Sequence, residues 1–115
     1  MQYLLIICHD EAFNPTDTLV AEIVGWVKEM EGRGIRVYGN PLRPPSDATT
    51  VRVREGSVVL TDGPFADSRE KMCAYELIEC ASLEEAIDVA SGHPMAKAAA
   101  IEVRPLWTEL ANDNR

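Results

Sequence analysis

Apolar residues recur along this chain with three different spacings. From Tyr3 to Cys8 every position is apolar, as in a strand covered on both faces. Leu19, Val20, Ile23, Val24, Val27 and Met30 return at helical spacing, which makes a stripe suited to packing on a sheet. From Thr50 to Arg54 the pattern alternates, with Val51 and Val53 on one side and Thr50, Arg52 and Arg54 on the other. Glu55-Gly56 then reads as a hairpin turn, and Ser57 to Thr61 as the returning strand. Ile35 to Tyr38, Ala74 to Cys80 and Ile101 to Arg104 supply three further strands.

The polar residues between these runs mark where elements start and stop. In Asn14-Pro15-Thr16-Asp17, Asn14 suits an N-cap, Pro15 the first helical position and Asp17 the first turn. Gly32 and Gly34 end that helix. Asn40 to Asp47 holds three prolines and no periodicity, so it reads as a loop. Ser82-Leu83-Glu84-Glu85 is a capping box. Ala86, Ile87 and Ala90 are the expected buried side of the helix it opens, and Gly92 closes it. Pro94 to Ala98 suggests a short helical turn, and Pro105 stops the last strand. From Thr108 to Arg115 a polar, loose tail is expected.

The centre of the chain is Val58 to Lys71, where an apolar strand runs into Asp62-Gly63-Pro64-Phe65. Asp62, Gly63 and Pro64 force a turn, and Phe65 anchors it. Asp67 or Ser68 is placed to cap a short helix, with Glu70 three residues after Asp67. The order is strand, helix, strand, hairpin, strand, helix, strand. That is an α+β, ferredoxin-like plan, two βαβ units flanking a hairpin, in which an antiparallel sheet carries its helices on one face. The first strand is apolar on its other face too, and the chain has no third layer to spare. A second copy of the chain is the natural cover, and a chain this short gains core by pairing.

Composition narrows the partners. The 115 residues favour one domain, spanning 1–107. With a formal net charge of −8, neither nucleic acid nor an anionic membrane is an expected partner, since both require clustered Lys and Arg. Cys8, Cys73 and Cys80 are odd in number and widely spaced, which fits neither a disulfide framework nor a zinc site. They read as reduced thiols in a cytoplasmic protein. Tyr3 to Cys8 is too short for a signal peptide or a spanning helix. Two histidines without ligand spacing and scattered glycines give no reason to expect a metal or a cofactor.

Several segments, taken in order, carry a family likeness. They are Met1-Gln2-Tyr3-Leu4-Leu5-Ile6-Ile7, Leu42-Arg43-Pro44-Pro45, Ala48-Thr49-Thr50-Val51-Arg52 and Thr61-Asp62-Gly63-Pro64-Phe65-Ala66. Tyr75-Glu76-Leu77-Ile78-Glu79, Ser82-Leu83-Glu84-Glu85-Ala86 and Ile101-Glu102-Val103-Arg104-Pro105 complete the set. Together they resemble the YCII-related family, in the branch named for its Asp-Gly-Pro-Phe motif. The resemblance implies a dimeric α+β barrel, in which two ferredoxin-like sheets pack face to face. It also implies a function that is mostly unassigned, enzymatic in some relatives through a His–Asp pair in a cleft. Genes of this branch often neighbour those of extracytoplasmic-function sigma factors, which implies regulation as the alternative to ligand binding. The first helix here has no histidine to match that pair.

Candidate chemistry gathers near the central loop and the end of the first strand. Asp62 suits a general base or a partner for a cationic group, and equally an Asx-turn within its own loop. His9 is a candidate proton carrier with Asp10 beside it, although neighbours on a strand point to opposite faces. Arg43 is a candidate ligand clamp, with Asp10 and Phe65 as further substrate contacts. Arg43, Arg52, Arg54 and Arg104 can meet an anion if they share a face; otherwise they pair with carboxylates, Arg104 with Glu102 across neighbouring strands. His93, at a helix end, suits bonding to the last free carbonyls. The expectation is a homodimer whose cleft binds a small molecule.

Overall fold

The computed structural model describes residues 1–112. The first strand, β1 (Gln2–His9), buries alternate residues. Tyr3, Leu5 and Ile7 are sealed in the core, while Leu4, Ile6 and Cys8 on the other face are half-buried. A helix follows, α1 (Asp17–Gly32), and then β2 (Arg36–Pro41) and a single 3-10 turn at Pro45–Asp47. Two strands, β3 (Thr49–Arg54) and β4 (Ser57–Asp62), form a hairpin, and β5 (Lys71–Glu79) returns to the main sheet. The chain ends in α2 (Leu83–Ser91), α3 (Pro94–Ala98), β6 (Ala100–Pro105) and α4 (Thr108–Asn112).

The four-stranded sheet has the order β2-β5-β1-β6, and its neighbours are all antiparallel. This is the ferredoxin-like α+β plan, with β3 and β4 set apart as a two-stranded sheet of their own. The register places Tyr3 opposite Ile78, Leu5 opposite both Glu76 and Val103, and Ile7 opposite Ala74 and Ile101. These residues face the helices. Trp26 and Met30 of α1, and Ala86, Val89 and Ala90 of α2, close over them. Ile7, Leu19 and Met95 form a smaller cluster at the other end. Each large apolar side chain sealed this way contributes roughly 1.5–3 kcal/mol. The indole N–H of Trp26 donates to the Val89 carbonyl at 3.1 Å, tying α1 to α2.

Among the described residues, the opposite face of the sheet has no cover. It carries Leu4, Ile6, Tyr38, Tyr75 and Leu77, and the Tyr38 and Tyr75 rings lie 6.2 Å apart. The hairpin is bare as well: Val51, Val53, Val58, Val59 and Leu60 are all exposed. The molecule is accordingly flat, with extents of 48 × 43 × 19 Å and a radius of gyration of 16.3 Å. A compact chain of this length would have a radius of gyration of about 13 Å. Among the described residues, no helix is long and apolar enough to cross a membrane.

Several local expectations change. Thr16 caps α1 instead of Asn14, its hydroxyl accepting the Leu19 N–H at 3.1 Å. The sheet side of this helix carries Leu19, Ile23, Trp26 and Met30, while Val20 and Val24 are left in solvent. Likewise Val89, not Ile87, completes the buried side of α2. No helix forms over Asp67–Glu70. The segment is short before β5 begins at Lys71, and helix nucleation is costly. Instead Ser68 donates its hydroxyl to the Glu70 carbonyl at 2.6 Å. Thr108–Asn112, expected loose, is helical; residues 113–115 of that tail lie outside the described chain. Glu102 and Arg104 do pair, but along one strand rather than across two.

Candidate functional site

A groove of about 870 Å³ lies between the hairpin and the adjoining ends of β2 and β5. The loop after β2 supplies Leu42, Arg43, Pro44 and Pro45, and β3 supplies Thr49 to Arg52. Pro64, Phe65, Lys71 and Met72 close the remaining side. Local chemistry holds this frame. The Leu42 N–H donates to the Cys73 carbonyl at 2.8 Å, and prolines at 44 and 45 lead into the 3-10 turn. The Gly63 N–H donates to the Ala48 carbonyl at 2.7 Å, and the Thr50 hydroxyl to the Gly63 carbonyl at 2.8 Å. Gly63 has φ 101°, a left-handed conformation that favours glycine, so the turn into Pro64 depends on it.

The structure brings Arg43 and Phe65 together in this groove. Phe65 is 79% exposed, a high value for an aromatic ring. The Arg43 Nε lies 2.8 Å from the Asp47 carboxylate. Asp62 ends β4 opposite the groove-lining Thr49, and among the described residues its side chain makes no hydrogen bond. The Asx-turn is therefore absent, and backbone bonds and the Thr50 hydroxyl hold the loop instead. Arg52 joins Arg43 on the wall, whereas Arg54 and Arg104 do not line it.

His9 and Asp10 lie at the end of β1. The chain turns there: the Phe13 N–H donates to the Asp10 carbonyl at 3.2 Å. The His9 Nδ1 is 2.9 Å from that same carbonyl. Since a carbonyl only accepts, Nδ1 carries the proton and Nε2 keeps its lone pair in the neutral ring. The ring stacks on Phe13 with centroids 4.5 Å apart. The Asp10 carboxylate turns elsewhere, accepting from the Ala12 N–H at 3.0 Å and lying 3.7 Å from Arg69. With Ser68, Arg69 and Glu70, Asp10 lines a separate recess of about 520 Å³.

Two buried polar groups were not legible as such in the sequence. Glu76 is only 6% exposed, although it sits in an apolar strand. Burial pushes its carboxyl up, and the Arg36 guanidinium opposes that. Arg36 Nε donates to it at 2.5 Å, while the same guanidinium reaches Glu31 at 2.7 Å and the Gly39 carbonyl at 2.9 Å. The carboxylate fits because residue 39 is glycine; a Cβ there would run into it and sit 2.6 Å from the Tyr75 carbonyl oxygen. His93 is 2% exposed. It does not serve the helix before it through its ring. Its Nδ1 accepts the Met95 N–H at 3.0 Å and so caps α3. Its ring stands edge-on to Trp26 with centroids 4.6 Å apart, and burial pushes its pKa down to about 4.

The thiols are quiet. Burial raises Cys73 and Cys80 to about 11, and Cys8 rises as well. Cys73 is the extra residue of a bulge, since Ile7 faces Ala74 and Cys8 faces Met72.

Comparison with known proteins adds a family. A model described as the YCII-related domain matches residues 1–109. An uncharacterized protein of Rhizobium meliloti (strain 1021) is 42% identical over 67 residues, 56% of this chain. The match spans 54% of that relative's length.

Proposed function

The chain belongs to the YCII-related family, and from that premise we propose that it is a cytoplasmic homodimer whose groove binds a small molecule. The observation that carries this reading is the groove of about 870 Å³, within the size range of ligand pockets and mostly apolar with a few polar groups. Phe65 and Leu42 offer apolar contact and Arg43 a cation. Asp62, opposite Thr49 across the hairpin, does not line the groove itself, and is the acid–base group only for a ligand that extends past Thr49. His9 and Asp10 stand outside this groove, Asp10 lining the separate recess with Ser68, Arg69 and Glu70, so neither takes a part in it. The uncovered sheet face supports the dimer. Leu4, Ile6, Tyr75 and Leu77 of one copy meet the same residues of another, about 10 Å apart sheet to sheet, as in the barrel of the Asp-Gly-Pro-Phe branch.

Two measurements test this. Sedimentation velocity is expected to give twice the 12.7 kDa chain mass, and Ile6→Glu to give the monomer. A stable wild-type monomer at low micromolar concentration refutes the assembly. A crystal structure of protein taken directly from cells is expected to show density in the groove beside Phe65. An empty groove, with no small molecule released on denaturation, counts against ligand binding.

The bare hairpin supports a second reading, an interaction module of the kind that sigma-factor regulation requires. Val58 and Leu60 lie outside the groove and are exposed. Val58→Lys with Leu60→Lys would then abolish partner capture while leaving ligand binding intact. Unchanged capture by that variant removes this reading.

A further inference from the structure

We propose that the groove takes a small carboxylate with an apolar body, and that Arg52 receives the anionic group. The inference rests on the groove being a ligand site, as above. The charge on its walls is unlike that of the whole chain. The protein carries −8 overall, yet Arg43, Arg52 and Lys71 line the groove against Asp47, its lone acidic residue among those described.

The three cations are not equivalent. Arg43 is already neutralised, with its Nε 2.8 Å from the Asp47 carboxylate and its side chain 85% exposed. Lys71 donates its ammonium to the Ser68 carbonyl at 2.6 Å. Arg52 is half-buried, and among the described residues it has neither a carboxylate within ion-pair distance nor any hydrogen bond. Arg33, Arg36, Arg43, Arg69 and Arg104 all have a carboxylate. Arg54 has none, but it is exposed outside the groove, where water satisfies it. The Thr50 hydroxyl, on the same face of β3, is already spent on Gly63.

A half-buried guanidinium has lost part of its hydration without gaining a protein acceptor. A carboxylate matches its planar fork with two parallel N–H bonds. Leu42, Pro64, Phe65 and Met72 would cover the remainder of the ligand. The overall negative charge repels polyanions and anionic bilayers, so the occupant that fits is a free small molecule with one carboxylate.

The probes are 2-naphthoate and its neutral analogue 2-naphthamide, titrated by calorimetry into the full chain. The wild type is expected to bind naphthoate about tenfold more tightly, the scale of one charged hydrogen-bonded contact. Arg52→Gln brings the two probes to parity, Arg52→Lys keeps part of the preference, and Arg54→Gln, the same charge change outside the groove, leaves it intact. Equal wild-type affinities, or a preference that survives Arg52→Gln, overturn the carboxylate inference. If Phe65→Ala weakens both probes in that case, the groove remains a ligand site. Failure of both probes to bind, or binding indifferent to Phe65→Ala, overturns the ligand-site reading together with this one.

Discussion

His93 makes this protein's stability depend on pH in a calculable way. The buried ring accepts a hydrogen bond from the Met95 N–H, and only a neutral Nδ1 can accept. Its folded pKa lies near 4, against 6.5 for a free imidazole. Between those values the unfolded chain binds a proton that the folded chain refuses, so stability rises with pH there. The contribution is complete above pH 6.5 and is lost as pH falls toward 4. At 1.36 kcal/mol per pKa unit, the loss comes to about 3 kcal/mol, a large share of the roughly 5–15 kcal/mol a domain has. The comparison variant is His93→Asn, since asparagine is a strong N-cap and does not titrate. It leaves a gap beside Trp26, whose cost does not vary with pH. Urea unfolding of both proteins at pH 7.0, 5.5 and 4.0, at one protein concentration, isolates the histidine. The wild type is expected to lose about 3 kcal/mol more than the variant on acidification, a urea midpoint shift of roughly 2 M at ordinary slopes. An equal acid response in the two proteins refutes the reasoning. So does a His93 ring titrating at 6.5 or above in the folded state, as followed by NMR.

Gly39→Ala drives a methyl into the seat of Glu76; a loss of about 3 kcal/mol is expected from overpacking and a displaced carboxylate, measured by denaturant unfolding. Arg36→Met leaves a buried carboxylate unpaired and should cost roughly 3–5 kcal/mol. Arg36→Met with Glu76→Leu should recover much of that, so a double-mutant cycle giving additive losses would show that the two do not interact. Trp26→Phe removes the donor to the Val89 carbonyl, and thermal unfolding should report about 1–3 kcal/mol for the orphaned acceptor. With pKa values of about 11, Cys73 and Cys80 stay protonated at pH 8. Iodoacetamide should therefore label them slowly until urea is added, and rapid native labelling would contradict their burial.

The sequence announces the elements better than it announces the polar interior. Every residue from Tyr3 to Cys8 is apolar, which marks the strand but not which face the helices take; the structure seals Tyr3, Leu5 and Ile7 and leaves Leu4, Ile6 and Cys8 half-buried. The Ser82 capping box appears almost as expected. The Glu85 N–H donates to the Ser82 hydroxyl at 3.2 Å, but its carboxylate reaches the Ala81 N–H at 3.1 Å, one residue earlier than the usual box. Glu55-Gly56 turns with φ of 51° and 80°, the both-positive geometry of a tight hairpin. Glu76, by contrast, reads as the polar phase of a strand. Its burial depends on Arg36, forty residues earlier, and on the missing side chain of Gly39, so no local pattern can reveal it. Asn14 and Thr16 are both good caps, and packing on the sheet decides between them. The groove was half legible. Arg43 and Phe65 stood out by type, while Lys71 and Met72 enter because β5 starts three residues before its apolar run suggested.

The hairpin sheet stands apart from the rest of the molecule. Its strands are bonded to each other and not to the main sheet, and its valines meet solvent. Two strands alone are marginal in water, so in an isolated chain this arm can open while the sheet and helices stay shut. Deuterium should enter the Thr49–Asp62 amides well before it enters β1 and β5. A ligand or a second copy that clasped the arm would show itself first by slowing that uptake.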